Sequence, residues 1–564
     1  MIRRFAVLIA ALGLAACAAS GDVPQASGPP LPQVANGPIA IETMQEVTRT
    51  LSSDAFEGRA PGTPGEEKTL AYLVQRFTAA GLKPGNRVAK RASWFQDVPL
   101  VEITASRYDP LVIEGADEPL RYDFGTDWVG VSYRTQKRID LLQSELVFVG
   151  YGINAPEKGW NDYAGIDMRG KTAVILINDP DHASGNTKGL FGGKAMTYYG
   201  RWTYKFEEAA RQGAAAALIV HDTIPAAYGW NVVQSGWSGP QSYAARDDGG
   251  KGEALVNGWV QKDAARTILA AAGQNLDGLV QAAGKPGFRA VPLRLTAKTG
   301  FDNAIRRYTS RNVIGVLPGV SRPNEYVLYT AHWDHLGRCP ADATGDDICN
   351  GAIDNATGTA ALVTLAEAFA KAGAPARSIA FIAVTAEEQG LLGSDYYATH
   401  PVFPLAQTVA GINMDALSLA GPAKDVIVVG NGKSRLDAYL AAALAKEGRR
   451  ATPDRSPEKG FYYRSDHFSF AKRGVPMLYF DGGEDLVHGG QAAGAAYARA
   501  YENRYHAPGD EYDPAWDWRG VAQDLQLNYL VGRMLAETRE WPNWNKGDEF
   551  RRIRDASCAA PGGC

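Results

Sequence analysis

Residues 378–390 read SIAFIAVTAEEQG, an apolar run from Ser378 to Val384 followed by adjacent carboxylates at Glu387 and Glu388. An unbroken apolar run of this length predicts a strand buried on both faces, as in a parallel sheet covered by helices. Neighbouring side chains on a strand point to opposite faces. The two glutamates therefore diverge unless the strand ends there and each serves a separate task.

Working outward, EYVLYTA (325–331), TVAGINMDA (408–416), DVIVVG (425–430) and VPMLYFDGG (475–483) carry the same buried-strand texture. Between them, TGTAALVTLAEAFAKAG (357–373) and SRLDAYLAAALAKEG (434–448) carry helical spacing. Strand and helix in alternation give an α/β fold, with a mixed, mostly parallel sheet flanked by helices. In such sheets, function gathers at the carboxyl ends of the strands.

Those ends are where the chemistry-bearing residues fall. EYVLYTA runs into His332-Trp333-Asp334-His335, SIAFIAV into Glu387-Glu388, and TVAGINM into Asp415. Two loops add Asp354, in NGAIDNATG, and His506, in NRYHAPGDEYD. Imidazole and carboxylate together suit zinc or a similar divalent ion. Singly each is weak: Asp354 ahead of a helix reads as an N-cap, and a pair of glutamates is common on a solvated face. Their joint placement at strand ends is what points to metal.

The motifs AHWDHLG, GAIDNATG, TAEEQGLLGS, NMD and YHAPGDEYD resemble those of the co-catalytic zinc exopeptidases of the M28 peptidase family. FEGRAPGTPGEEKTLAYLVQRFTAAGLKPG resembles that family's opening segment, and residues 110–295 resemble its inserted β-rich protease-associated (PA) domain. The resemblance implies two Zn2+ ions, one bound by His332 and Asp415, the other by Glu388 and His506, with Asp354 bridging. It implies Asp334 as the carboxylate holding the ring of His332, and Glu387 as the general base. It implies a hydrogen bond from Tyr505 to the developing oxyanion, and a cis peptide after Asp354. FYYRSDHFSFAKRGVP (461–476) resembles the segment lining the specificity pocket, which makes Arg464, Ser465, Asp466 and His467 candidates for substrate contact or pocket structure.

The implied activity is that of an aminopeptidase acting on peptide substrates. A carboxypeptidase of the glutamate carboxypeptidase type is the alternative, for which no clear arginine cluster is visible in the sequence beyond Arg464. A non-catalytic binding module on the same scaffold is disfavoured, because the ligand set and the base are all present.

The 564 residues, 45% hydrophobic, bury a large core and exceed one typical domain. A net charge of −4, from 58 basic and 62 acidic residues, gives no global electrostatic reason to bind nucleic acid. The expected organisation is a catalytic domain formed by 39–109 and 296–542, an insert at 110–295, and a tail at 543–564 that matches nothing recognised.

At the N-terminus, Arg3 and Arg4 precede a short apolar run and then LAAC at 14–17. The run is too short to span a bilayer and reads as a signal peptide over 1–16. LAAC resembles a bacterial lipobox, with Cys17 as the lipidated residue and 17–38 as a flexible tether. The expectation is an exported outer-membrane lipoprotein, membrane-bound only through that anchor. Export implies an oxidising compartment, where the local pairs Cys339–Cys349 and Cys558–Cys564 are favoured because each closes a short loop containing Gly or Pro.

Overall fold

The computed structural model describes residues 29–560 and 564; the expected signal segment and Cys17 lie outside them. Helix α1 (Ile41–Leu51) buries Met44, Val47 and Leu51, and α2 (Pro64–Ala79) buries Leu70, Leu73 and Phe77. Helix α2 opens on Pro64, where a missing N–H costs no helical bond, and closes just before Gly81 in the left-handed region at φ +80°. Strand β1 (Phe95–Ser106) then leads into the middle segment.

There β2 (Arg138–Phe148), β3 (Thr172–Leu176), β4 (Ala216–His221) and β5 (Val256–Gln261) lie side by side in that order and parallel, with α3 (Trp202–Arg211) between β3 and β4. Both faces are covered: Val174, Leu176, Leu218 and Val220 pack in one apolar cluster, and Ala173, Ile175, Ala217 and Ile219 in another.

The long β6 (Val291–Leu317) joins the two parts. It pairs in turn with β2, with β1 and, through 313–317, with the catalytic sheet, running without a break across the expected boundary at 295/296.

The catalytic sheet uses β7 (Arg322–His332), β8 (Arg377–Val384), β9 (Thr408–Asn413), β10 (Asp425–Val429), β11 (Arg450–Pro453) and β12 (Met477–Gly482). Its order is β6-β8-β7-β9-β12-β10-β11. Strands β8, β7, β9 and β12 are mutually parallel, β6 and β10 run antiparallel to their neighbours β8 and β12, and β11 is parallel to β10. The chain is thus α/β with a mixed, mostly parallel sheet.

Every residue of β8 is buried, and the period of two assigns each side chain to a face. Ile379, Phe381 and Ala383 join Val327, Tyr329 and Ala331 of β7 under α1, α2, α4 (Gly358–Ala372), α6 (Leu436–Glu447) and α8 (Trp518–Glu537). Ala380, Ile382 and Val384 face the other way, against Tyr397 of α5 (Leu392–Thr399) and Phe470 of α7 (His467–Ala471). Truncating Phe381 to Ala is expected to cost about 3–5 kcal/mol, through lost transfer energy and the cavity left behind.

The middle segment is docked onto the catalytic part. Glu207 of α3 pairs with Lys472 at 2.9 Å, the ring of Tyr198 packs edge-on against Phe468 at 5.1 Å, and the Met196 N–H donates to the Pro457 carbonyl at 3.0 Å.

Two terminal segments are more integrated than their composition predicts. Within the expected tether, Leu31 and Val34 pack against the main core, and Lys446 Nζ donates to the Val34 carbonyl at 2.6 Å. In the tail, Trp544 is buried and donates to the Gly474 carbonyl at 2.9 Å, while buried Arg554 donates to the carbonyl of Thr408 at 2.9 Å. Disulfides join Cys339 to Cys349 and Cys558 to Cys564.

Candidate metal centre

The adjacent glutamates separate because the strand stops short of them. Strand β8 ends at Val384, and Ala386 turns into the left-handed region at φ 54°, where a non-glycine residue needs support from its surroundings. Ala416, directly after Asp415, and His506 itself share that conformation, at φ 50° and 56°. The backbone is bent at three points of one site.

Asp354 lies at the centre. Its Oδ1 is 3.3 Å from His332 Nε2, which is also 3.1 Å from Asp415 Oδ1. Its Oδ2 is 3.3 Å from His506 Nε2, which is 3.1 Å from Glu388 Oε2. The two oxygens of one carboxylate thus address two donor groups, His332 with Asp415 and His506 with Glu388. Asp354 is no N-cap, since α4 begins only at Gly358; the Asp354–Asn355 peptide is cis.

The donor set fits divalent cations. His332, Asp334 and Asp354 are buried, and Glu387, Asp415 and Glu388, half-buried, complete the carboxylate cluster around them. Burial first, with Asp415 and Glu388 adding and His332 opposing, pushes the Glu387 carboxyl well above its usual range. Burial likewise raises Asp334 to about 7. The nearby guanidinium, Arg59, does not neutralise them: it donates to the carbonyls of Trp333, Leu51, Asn350 and Gly351 at 2.6–3.0 Å. A bound cation is the partner that offsets such an anionic excess.

Asp334 acts differently from the expectation. His332 Nδ1 lies 3.1 Å from the backbone carbonyl of Asp334 and 3.9 Å from its carboxylate, so the carbonyl fixes the ring. The carboxylate instead accepts the Glu387 N–H at 3.2 Å, which positions Glu387. Tyr505 stacks on His506 with ring centroids 3.8 Å apart and is half exposed. Partial enclosure and then the field of Asp354, Glu388, Glu387 and Asp415 keep its hydroxyl protonated, a donor and not an anion.

The 464–467 group divides. Ser465 Oγ donates to Asp415 Oδ2 at 2.6 Å and accepts from Asn413 Nδ2 at 2.8 Å, so it orients Asp415. Asp466 is fully buried, its carboxyl raised to about 7 by that burial. His467 is enclosed between the rings of Tyr462 and Tyr479, at 4.6 and 4.9 Å, and burial lowers it to about 3, which keeps it neutral. Of the four, only Arg464 is exposed.

Sequence reasoning assigned no task to His335, Asp510 or Arg59. His335 Nδ1 is 2.6 Å from Glu388 Oε1, and His335 forms a compact donor group with Asp354 and Glu388. Asp510 accepts the N–H groups of Ile353 and Asp354 at 3.1 and 3.0 Å, holding the loop that carries the central carboxylate. His335 and Asp510 stand inside the quoted motifs, but their partners lie in other motifs, 53 and 156 positions away for Glu388 and Asp354.

Residues 312–530 match the model of peptidase family M28. This span contains all five metal-type ligands and Glu387. Aminopeptidase NAALADL1 of Mus musculus is 33% identical over 139 residues, covering 23% of this chain and 17% of that protein. Aminopeptidase YwaD of Bacillus subtilis (strain 168) is 36% identical over 98 residues, covering 17% of this chain and 19% of that protein. The chain therefore spans about a fifth of the length of these curated relatives. Among solved structures, an aminopeptidase from Aneurinibacillus sp. strain AM-1 aligns at 20% identity and a TM-score of 0.47, covering 89% of this chain and 95% of that one.

Proposed function

We propose that this chain is a two-zinc exopeptidase, an aminopeptidase releasing N-terminal residues from peptides. The observation that carries this reading is Asp354, whose two oxygens address separate His-carboxylate groups while Glu387 stays outside both pairings. His332, Asp415 and Asp354 would hold one ion, and Glu388, His506 and Asp354 the other. When bound, the ions supply Lewis acidity toward water and the scissile carbonyl.

The protein's own part follows from the geometry. Glu387 accepts a proton from the attacking water and returns it to the leaving amine. Asp334 fixes Glu387 through its backbone N–H, Ser465 fixes Asp415, and Tyr505 donates toward the oxygen on which charge develops. The names of the two relatives favour the aminopeptidase over the carboxypeptidase reading.

In this proposal residues 110–295 are a PA-type insert and the protein is an outer-membrane lipoprotein anchored at Cys17, a reading supported by the N-terminal LAAC. The test uses the full chain with a pool of free and N-acetylated peptides, with and without chelator, read by mass spectrometry. Chelator-sensitive loss of N-terminal residues from free peptides alone is the expected result. Trimming from the C-terminus, indifferent to acetylation, would move the assignment to a carboxypeptidase.

A further inference from the structure

The middle segment has a cleft of its own, and none of the residues lining it belongs to the metal centre. It opens at the carboxyl ends of β3, β4 and β5, the edge of a parallel array at which ligands collect. Leu176 closes β3 and Val220 stands near the end of β4; with Tyr151, Ile177, Leu276 and Val280 they form apolar walls, all buried except half-buried Val280. The cleft holds about 270 Å³. A dry cavity of about 150 Å³ takes benzene and drug-sized ligands need about 300–1,000 Å³, so this space suits a molecule the size of one amino acid.

The mouth carries charge of both signs. Lys262, the first residue of the helix Lys262–Ala271, pairs with Asp222, which directly follows β4, and both are partly exposed. A cation in the first turn opposes the helix dipole, so Lys262 depends on a neighbouring anion. His182 lines the cleft as well; its Nδ1 donates to the Asp179 carbonyl at 2.7 Å, which leaves Nε2 of the neutral ring as an acceptor. Asp277, tied to Arg266 at 3.0 Å, adds a second carboxylate to the rim.

A ligand with a single charge would pair with either Lys262 or Asp222 and strand the other. A ligand carrying ammonium and carboxylate side by side satisfies both. The buried walls ask for an apolar group in addition, and one carbon bearing all three substituents is an α-amino acid.

We propose that this cleft binds a free apolar α-amino acid, with its side chain between Leu176, Val220 and Val280, its carboxylate on Lys262, and its ammonium on Asp222 and His182. The inference rests on the exopeptidase reading for the source of the ligand, since free amino acids are products of that reaction.

The test is calorimetric titration of the zinc-loaded full chain, before and after chelation, with L-leucine, L-leucinamide, isocaproate and glycine. Saturable binding of L-leucine that survives chelation is expected. The other three lack the carboxylate, the ammonium and the side chain in turn, and each should bind roughly tenfold more weakly or worse. Val280→Trp, which fills the cleft from a half-buried helix position, and Lys262→Met, at the rim, should weaken L-leucine by a similar factor and leave kcat/KM for Leu-Ala unchanged. No saturable binding, binding that disappears with the zinc, or binding that both variants retain would overturn the proposal, as would isocaproate binding as tightly as L-leucine. The two readings fail separately: cleft-dependent L-leucine binding without hydrolysis of any peptide upholds the cleft and sinks the exopeptidase, and hydrolysis without such binding does the reverse.

Discussion

The molecule contains two sets of parallel strands whose ends carry charge, and they resolve that charge in opposite ways. In the middle segment, Asp179 follows β3, and it and Asp162 are raised to about 7 by burial. Lys205 of α3 reaches into the field of both while donating to the carbonyls of Tyr151 and Asn178 at 2.6 and 3.0 Å. Nearby, Lys262 pairs with Asp222. At the catalytic sheet, His332, Glu387, Glu388 and Asp415 meet Asp354 and His506 with no lysine or arginine bonded to the carboxylates that face the centre among the described residues. Strand-end position alone therefore does not mark a metal site; uncompensated charge at that position does.

The contrast breaks most sharply at Glu387. Glu387→Gln should lower kcat by roughly 10²–10⁴-fold while bound zinc, measured by elemental analysis, stays at the wild-type level. A variant that loses metal in parallel would make Glu387 a ligand and erase its distinction from Glu388. Asp354→Ala should remove the shared carboxylate and reduce zinc content at both positions. Retention of a full complement would show that the two donor groups are independent.

The middle segment supplies the converse. Lys205→Met leaves Asp179 and Asp162 buried without their cation and should cost about 3 kcal/mol in denaturant unfolding, with zinc content unchanged. A change in zinc content would mean that the two sets of strands are not separate electrostatic units. Smaller effects are expected around the ligands. His335→Gln should weaken zinc binding by about 10–100-fold in a competition titration by loosening Glu388. Ser465→Ala should weaken it by about tenfold or less, since one hydrogen bond to Asp415 is lost.

Much of this was legible because it is periodic or local. Every catalytic strand from β7 to β10, together with β12, and both helices α4 and α6, lies where the apolar runs place it. The N-cap reading of Asp354 and the tether reading of residues 29–38 show where local rules stop: in each case a partner far along the chain, Asp510 for the first and Lys446 for the second, decides the outcome. His467 stood as a candidate for substrate contact or pocket structure, and the rings of Tyr462 and Tyr479 enclose it.

The sequence by itself determined the α/β alternation and the residue types delivered to the strand ends, because hydrophobic period and strand termination are properties of consecutive residues. Only the tertiary structure decided which carboxylates meet. It separated Glu387 from Glu388 through the turn at Ala386 and gave the two oxygens of Asp354 different partners. Electrostatic balance is set by distance in space, which spacing along the chain does not encode.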